Sequence, residues 1–358
     1  MFYIHQSSCI SPQSTFDPVD IGTLRLSFDN VLRAVEPAYS GIPAGALRRM
    51  GRSVKLSVGA AMGVLVPGVP GVPGAIIIGT GNGGLEDCIK FLTQLIEYDE
   101  GMLTPAHFVQ STSNAAAAQI SLVTANRSYN ATHVHRGLAF ENALLDAFLH
   151  LQEHPSVTCL LGAVDEISAH NDHIENLAGA YKKERISNKD LYTFDTPGTL
   201  SGEGAVMFLV NGKQEGAVAC VRALETLHTD DASVVRSSLQ GFLATHLSEG
   251  ETVDLLLTGE NGDNRLLHFY TASESLVSSD ACIARFKHMC GEYLTASAVG
   301  LWLACRIVQT GERPPEHMIK RGAAGDGGFR NVLLYNNYKG EQHSFMLVSR
   351  NPEPSLGS

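Results

Sequence analysis

Apolar and polar positions along this chain follow two alternating periods. Short strand-like runs, most of them rich in β-branched and aliphatic residues, predict strands at 72–78, 130–135, 157–164 and 204–210, with 157–164 buried. Between these runs, apolar residues recur every three or four positions, which predicts helices at Leu85–Glu97, 114–122 and 140–151. Strands that alternate with amphipathic helices are typical of an α/β protein.

The same alternation returns in the second part of the chain. It predicts strands at 217–223 and 253–258, helices at Ala232–His246 and 295–309, and a closing hairpin of 331–335 with 344–349. Two glycines and several polar residues at 211–216 mark a junction. We therefore predict two similar halves, 1–211 and 216–351, followed by a tail at 352–358. Residues 170–200 show no clear period, which predicts a surface excursion or cap.

Composition and charge narrow the class of protein. The chain has 358 residues, of which 44% are hydrophobic and 18% charged, and its formal net charge is −11. The excess of acidic over basic residues argues against a protein that binds the phosphate backbone of nucleic acids or adsorbs to an anionic membrane. No apolar run approaches the ~18 residues of a spanning helix, and the N-terminus does not have the pattern of a signal peptide. We expect a cytoplasmic protein.

The seven cysteines are odd in number, scattered and nowhere spaced as a Cys-x-x-Cys pair. This pattern favours a reducing compartment and thiols that pack as small hydrophobic groups. We expect all seven to be structural.

A glycine-rich stretch follows the first predicted buried strand. Gly79, Gly81 and Gly84 have the spacing of a dinucleotide-binding turn, and Asp99 lies near the position of a ribose-binding acid. This pattern alone would suggest an NAD-dependent oxidoreductase. However, Glu86 and Asp87 place negative charge where a pyrophosphate would approach the helix. The alternative is a tight turn between strand and helix, with no cofactor bound.

Two histidines alternate along the predicted strand at 130–135. His133 and His135 would face the same side, as in a two-histidine metal edge. No third ligand stands out, and Arg136 would repel a cation. We therefore interpret them as hydrogen-bonded histidines at a strand end and expect no metal.

Several motifs in order along the chain resemble the β-ketoacyl synthases, the condensing enzymes of fatty-acid and polyketide synthesis. The segments that carry the resemblance are Ile42-Pro43 with Leu47-Arg48-Arg49-Met50-Gly51-Arg52, the glycine-rich turn through Asp87, Gly162-Ala-Val-Asp-Glu166, Gly202-Glu-Gly-Ala205, Lys287-His-Met-Cys-Gly291 and Asn336-Asn-Tyr338. The resemblance implies a thiolase-like α/β fold with two ββαβα-type halves in five layers, αβαβα. It also gives the glycine-rich turn a role without a cofactor.

The family's chemistry requires a cysteine nucleophile at a strand-to-helix turn, two histidines that stabilise an oxyanion, and a lysine. By the resemblance, the nucleophile position falls at Gly137, within one residue, beside Arg136 and Leu138. The first histidine position falls at Thr258, and the second at Glu292, after Gly291. Of the four groups only Lys287 is kept. The resemblance therefore implies a pocket that has lost acyl transfer and decarboxylation, in which Lys287 and Glu292 form an ion pair.

The family includes chain-length factors, which pair with an active synthase while lacking its cysteine. Residues 133–146 and 291–297 resemble a bacterial branch associated with aryl-polyene or flexirubin-type pigments. The resemblance implies a heterodimer with an active ketosynthase, or a homodimer, with indirect use of an acyl carrier protein and no cofactor. It implies an interface on the helix with Asn114, Ala117 and Ala118. The implied acyl-pocket residues are His135, Phe140, Asn337 and Tyr338.

Two other functions stay open at this point. Glu292 could act as a base, with Lys287, in a different acyl-thioester reaction, because acids in apolar clefts can be retuned. The oxidoreductase with Gly79 to Gly84 as its cofactor turn is the other. A Gly-x-Ser-x-Gly motif is absent, so nothing favours a serine hydrolase.

Overall fold

A computed structural model describes residues 1–65, 73–322 and 328–351. The predicted tail at 352–358 and the predicted first residue of the strand at 72 lie outside the described residues. The strands are β1 (Phe2–Ile10), β2 (Val31–Leu32), β3 (Ala75–Gly79), β4 (Tyr129–His133), β5 (Cys159–Asp165), β6 (Ser201–Gly202), β7 (Gly204–Asn211), β8 (Ala219–His228), β9 (Leu255–Thr258), β10 (Cys282–Arg285), β11 (Ile319–Arg321), β12 (Asn331–Tyr338) and β13 (Gln342–Arg350).

The helices lie between these strands. They are α1 (Ala44–Leu47), α2 (Arg52–Val64), α3 (Leu85–Glu97), α4 (Pro105–Gln110), α5 (Ala115–Thr124), α6 (Ala139–Glu153), α7 (Ala169–Leu177), α8 (Ala232–His246), α9 (Leu267–Glu274), α10 (Lys287–Cys290) and α11 (Ser297–Thr310).

The two halves of the chain repeat one strand topology. In the N-terminal half the strand order is β4-β3-β5-β7-β1, and in the C-terminal half it is β10-β9-β12-β13-β8. The first three strands of each set are parallel, and the last two pair antiparallel. The repeat changes over between Asn211 and Ala219, close to the predicted junction. The division into two units stays a prediction.

Hydrogen bonds join the two sets of strands at one edge. Phe2, Tyr3 and Ile4 of β1 pair with Val221, Cys220 and Ala219 of β8. Within the described residues the strands therefore form one eleven-stranded sheet, with β11 beyond β10, while β2 and β6 pair separately.

Alternate residues of each strand enter different hydrophobic clusters. Ile77 of β3 and Leu257 of β9 share a central cluster with α6 and α11. The opposite faces pack outward, with Ile76 of β3 against α2 and α5 and Leu256 of β9 against α8 and α9. The N-terminal and C-terminal parts of the eleven-stranded sheet therefore form two sheet layers, with helices between them and on both outer faces. The predicted thiolase-like α/β fold is confirmed.

Most predicted elements are found, with shifted ends. β4 ends at His133 instead of 135, because a 3-10 turn over Arg136–Leu138 follows it. The pattern did not assign bounds to β1, whose polar centre at residues 5–7 interrupts its apolar run and is half-buried, nor did it reveal the four-residue β10.

The segment at 170–200 contains most of α7 and contacts residues of both halves of the chain. Lys182 holds it in place, since its buried Nζ donates to the carbonyl oxygens of Phe194, Thr196 and Gly262 at 2.8–3.1 Å. Burial lowers the pKa of Lys182.

Candidate functional site

The candidate site lies beyond the carboxyl ends of the parallel strands, where α/β sheets commonly bind ligands. A cavity of about 420 Å³ opens there, and residues of both halves and of the segment at 170–200 line it. Its wall includes Asp165 at the end of β5, Tyr181, Asn261, Glu292 and Tyr338.

Lys287 and Glu292 form a buried ion pair at the base of this region. Nζ of Lys287 lies 2.6 Å from Oε1 of Glu292, and the side chains are 0% and 10% exposed. Nδ2 of Asn261 donates to the other carboxylate oxygen of Glu292 at 2.8 Å. Both oxygens of Glu292 are therefore engaged, and the lysine charge is neutralised locally.

The backbone around Glu292 explains why the pair is held so closely. The amide of Glu292 donates to the Leu200 carbonyl at 2.8 Å, and the amide of Gly202 donates back to the Glu292 carbonyl at 3.1 Å. Gly291 has a φ of 74°, and a Cβ there would lie 2.6 Å from the Cα of Gly202. A side chain at 291 would separate these segments, so glycine is needed.

Thr258 is buried at the end of β9 and is not among the residues that line the cavity. Its Oγ1 donates weakly to the Ala284 carbonyl at 3.4 Å. The next residue, Gly259, is confined, because a Cβ there would lie 2.3 Å from Oδ1 of Asn336 and 3.3 Å from Cε of Lys287. Thr258 therefore contributes packing and no free acid or base.

The turn between β4 and α6 holds the predicted nucleophile position. Arg136 has a left-handed φ of 49°, and such strain marks a sharp turn. The amide of Gly137 donates to Oε1 of Gln342 at 2.8 Å. A Cβ atom at Gly137 would lie 2.3 Å from Cβ and 2.5 Å from Cγ of Tyr338, so this tyrosine occupies the space where a side chain would project. Residues 136–138 include no cysteine, serine or threonine.

One buried acid close to this turn was missed by sequence reasoning. Glu141, in the first turn of α6, is fully buried and accepts a hydrogen bond from Ser344 Oγ at 2.8 Å. Burial raises the pKa of Glu141, while the charge of Lys287 acts in the opposite direction. The signal in the sequence was an acid in the apolar stripe of a helix, flanked by Phe140 and Ala143.

The amides of the glycine-rich turn are already occupied. Gly81 N and Asn82 N donate to Oδ1 of Asp165 at 2.9 and 2.7 Å, and Gly83 N donates to Oγ1 of Thr80 at 2.8 Å. Thr295 Oγ1 binds the other oxygen of Asp165 at 2.8 Å. Because a carboxylate of the chain takes these donors, the arrangement favours the tight turn over a pyrophosphate site.

The charged residues that line the cavity are mostly acidic. Asp172, Glu175, Asp263 and Glu341 join Asp165, Glu166 and Glu292, against the cations Arg265 and Lys339. Burial raises the pKa of Glu166 to about 7, and the nearby Asp87, Glu86 and Glu203 add to the effect.

The four predicted acyl-pocket residues do not lie together in the structure. Tyr338 lines the cavity, whereas Phe140 lies in the central core and stacks on Phe208 at 6.1 Å. His135 is exposed beside Asn142. Asn337 is fully buried and accepts from the Gly340 amide within the β12–β13 hairpin at 2.7 Å.

The three predicted interface residues differ in how far they are exposed. Asn114 is an exposed N-cap residue of α5 without a side-chain cap bond, Ala117 is fully buried beneath the helix, and Ala118 is half-buried. Ala117 packs with α2 and β3 inside the chain. Of the two alanines, Ala118 is therefore the one accessible to a partner.

The thiols of this chain are mostly inaccessible. Six of the cysteines are buried, and only Cys88 is half-buried. Cys290 lies nearest the pocket motif, and burial raises the pKa of its thiol to about 12, although Lys287 pulls in the other direction. A thiol with this pKa is protonated near neutral pH and is a poor nucleophile.

The two strand histidines have ordinary partners. His133 Nε2 lies 2.8 Å from Oδ2 of Asp146, and His135 Nδ1 lies 2.8 Å from Nδ2 of Asn142. Across residues 1–65, 73–322 and 328–351, no group of three or more His, Cys, Asp and Glu side chains could hold a metal ion. Over the same ranges, no helix has both the length and the apolar character needed to cross a membrane.

A known family matches part of the chain. Residues 29–174 match the family described as "Beta-ketoacyl synthase, N-terminal domain". A search of curated proteins found no significant match.

Solved structures of ketosynthases resemble the whole fold. A beta-ketoacyl synthase from Burkholderia phymatum has a TM-score of 0.76 at 14% identity, covering 98% of this chain and 99% of that chain. The ishigamide ketosynthase/chain length factor has a TM-score of 0.74 at 18% identity, covering 98% and 99%. A type II polyketide synthase acyl-carrier protein in complex with its ketosynthase bound to the hexaketide has a TM-score of 0.74 at 14% identity, covering 98% of each chain.

Proposed function

We propose that this chain, whose residues 29–174 match the β-ketoacyl synthase N-terminal domain, is a catalytically silent homologue that acts as a chain-length-factor-like partner of an active ketosynthase. The observation that carries the proposal is the contact between Gly137 and Tyr338. At the turn where the family's nucleophile would stand, no side chain is present, and a tyrosine ring takes its space. The resemblance of residues 133–146 and 291–297 extends the proposal to aryl-polyene or flexirubin-type synthesis.

The other positions of the family's chemistry support the same proposal. Decarboxylation of a malonyl thioester needs donors aimed at the developing oxyanion. Thr258 is buried with its hydroxyl directed at the Ala284 carbonyl, and Glu292 is an acceptor already bound by Lys287 and Asn261. The charged residues that line the cavity are mostly carboxylates, which would also disfavour the malonyl carboxylate.

The partner would bind at the edge of the N-terminal sheet. β4 is the last strand of the eleven-stranded sheet, so one side of its backbone has no neighbouring strand in the described structure. Large apolar side chains are strongly exposed on the elements nearest to it in sequence; they include Ile96, Met102, Phe108, Val109, Leu122 and Val134. Exposed apolar surface of this kind is typical of a protein interface.

Co-expression tests the partnership. The chain and an active ketosynthase co-expressed with it as the candidate partner should copurify as a complex with the summed mass of the two subunits. Leu122→Glu should abolish the complex, because it puts a charge into the apolar face. Leu177→Glu is the matched control, since Leu122 and Leu177 are 74% and 75% exposed and Leu177 lies on α7. Complexes of unchanged mass with both variants would argue against this face.

A second candidate function rests on Glu292. Its carboxylate borders a cavity of about 420 Å³ and sits beside a lysine, so it could serve as a base in another acyl-thioester reaction. That function predicts turnover of an acyl thioester by the isolated chain, abolished by Glu292→Gln.

A further inference from the structure

A second cavity lies between β1, α2 and α11, and none of the chemistry described above involves it. Its volume is about 490 Å³, within the usual range of small-molecule sites. Its walls include Phe16, Tyr39, Met62 and Trp302, with Arg306 among them.

Two glycines of α2 let the aromatic walls approach the helix. A Cβ at Gly59 would lie 2.5 Å from Cε1 of Tyr39, and one at Gly63 would lie 2.8 Å from Cε2 of Phe16. Gly59 and Gly63 are four positions apart, so they share one face of the helix. The rings therefore pack on a flat strip of α2 and form two walls of the cavity.

Arg306 is a cation without an acidic partner in the described residues. Its Nε is buried and makes no hydrogen bond, and no ion pair joins its guanidinium to a carboxylate there. Its Cζ lies 5.3 Å from the centre of the Trp302 ring, at cation–π distance. The residue as a whole is half-buried and lines the cavity, so an anion bound there can pair with its guanidinium.

We propose that this cavity binds an amphipathic monocarboxylate, with its carboxylate on Arg306 and its alkyl body among the aromatic walls. A guanidinium can form two parallel hydrogen bonds to a carboxylate, which suits it to such a head group. Arg306 stands nine residues after the start of α11, about 14 Å along the helix from the end nearest Lys287 and Glu292. The ligand would therefore not compete with anything bound in the cavity of the candidate site.

Trp302 makes the proposal directly measurable, because it is the only tryptophan of the chain and it lines this cavity. Octanoate should change the tryptophan emission saturably, whereas 1-octanol should bind at least about tenfold more weakly because it lacks the charge. Arg306→Gln should weaken octanoate binding by about tenfold or more, and Arg306→Lys by less. Arg236→Gln, an exposed change of the same charge on α8, should leave the affinity unchanged.

Two further variants keep the test decisive. Asp17, exposed at the cavity lining, should repel the anion, so Asp17→Asn should tighten octanoate binding. If Arg306→Gln does not fold, Met62→Phe should still weaken binding by narrowing the cavity. Equal affinity of the wild type for octanoate and 1-octanol, equal affinity of wild type and Arg306→Gln for octanoate, or no saturable change would overturn the proposal. None of these outcomes bears on the proposed partner function.

Discussion

Nζ of Lys287 lies 2.6 Å from Oε1 of Glu292, and this pair is almost completely removed from water. Backbone hydrogen bonds from Glu292 to Leu200 and Gly202 hold residue 292 in place, so its carboxylate stays close to the lysine and neutralises the lysine charge. The resemblance places a histidine at position 292, and this chain has there the acidic partner of the ion pair.

Removal of one partner from this pair should strongly destabilise the fold. Lys287→Met leaves the Glu292 carboxylate buried and without its cation, which we expect to lower the free energy of unfolding by about 3 to 5 kcal/mol. Adding Glu292→Gln to Lys287→Met should recover part of the loss. Urea denaturation of the single and double variants gives the coupling energy.

A surface pair provides the control. Lys90 and Glu86 lie 3.7 Å apart on α3 with side chains 49% and 29% exposed, so Lys90→Met should cost less than about 1 kcal/mol. Equal losses for Lys287→Met and Lys90→Met would show that the Lys287 pair is not structural.

The contact between Gly137 and Tyr338 predicts that a nucleophile cannot simply be restored. Gly137→Cys should overpack against the tyrosine and cost about 1 to 3 kcal/mol. Tyr338→Gly removes both the ring and the Cβ that lies 2.3 Å from the added atom, so Gly137→Cys should cost less in that background than in the wild type. Thermal melts of the four proteins in this cycle measure the difference; additive effects of the two changes would mean that the contact is not tight.

The contacts of these positions could not be predicted from the sequence. The resemblance places the nucleophile position at Gly137, but Tyr338 contacts it from a strand two hundred residues away, and no local pattern indicates such a contact. Asp165 stood in a quoted motif, yet its binding of the Gly81 and Asn82 amides depends on β3 and β5 pairing in one register. Glu141 was missed for the same reason, since Ser344 binds it from β13.

The buried thiols should be unreactive in the folded protein. Iodoacetamide should label Cys88 alone within minutes at neutral pH, because it is the one half-buried cysteine and Cys290 is a protonated, buried thiol. Peptide mass mapping identifies the labelled residue, and full labelling in denaturant is the control. Rapid modification of Cys290 with loss of a condensing activity would identify a nucleophile elsewhere than at Gly137.

Glu166 should make stability fall as the pH rises. Its carboxyl ionises near 4.5 in an unfolded chain and at about 7 in the fold. Between these values the folded state keeps a proton that the unfolded state has released, so the free energy of unfolding decreases with rising pH, by at most about 3 kcal/mol.

Glu166→Gln tests this directly. The variant keeps an oxygen acceptor for the Ser53 amide and should have a flatter stability profile from pH 4.5 to 7.5 than the wild type. Glu97→Gln, at an exposed position of α3, should leave the slope unchanged. A wild-type slope that persists in Glu166→Gln would assign the titration to another group.

The alanines of α5 should differ in what they affect. Ala117→Leu should destabilise the isolated chain by about 1 to 3 kcal/mol, because Ala117 fills the core between α5, α2 and β3. Ala118→Leu should leave the melting temperature of the isolated chain nearly unchanged and weaken the complex with the ketosynthase. The reverse pattern in melting and size-exclusion measurements would move the interface away from α5. The run of four alanines at 115–118 indicates close packing, but the sequence does not say which alanine faces the core. The orientation of α5 in the structure shows that Ala117 does and that Ala118 is partly accessible.

The central claim is that the chain by itself performs neither decarboxylation nor condensation. The most direct measurement is release of labelled CO2 from a malonyl thioester by the purified chain, beside an active ketosynthase assayed under the same conditions. The account predicts release no faster than the buffer background, for the wild type and for Glu292→Gln alike. Release well above background by the wild type, lost in Glu292→Gln or Lys287→Met protein that still folds, would contradict it and make this pocket an active site.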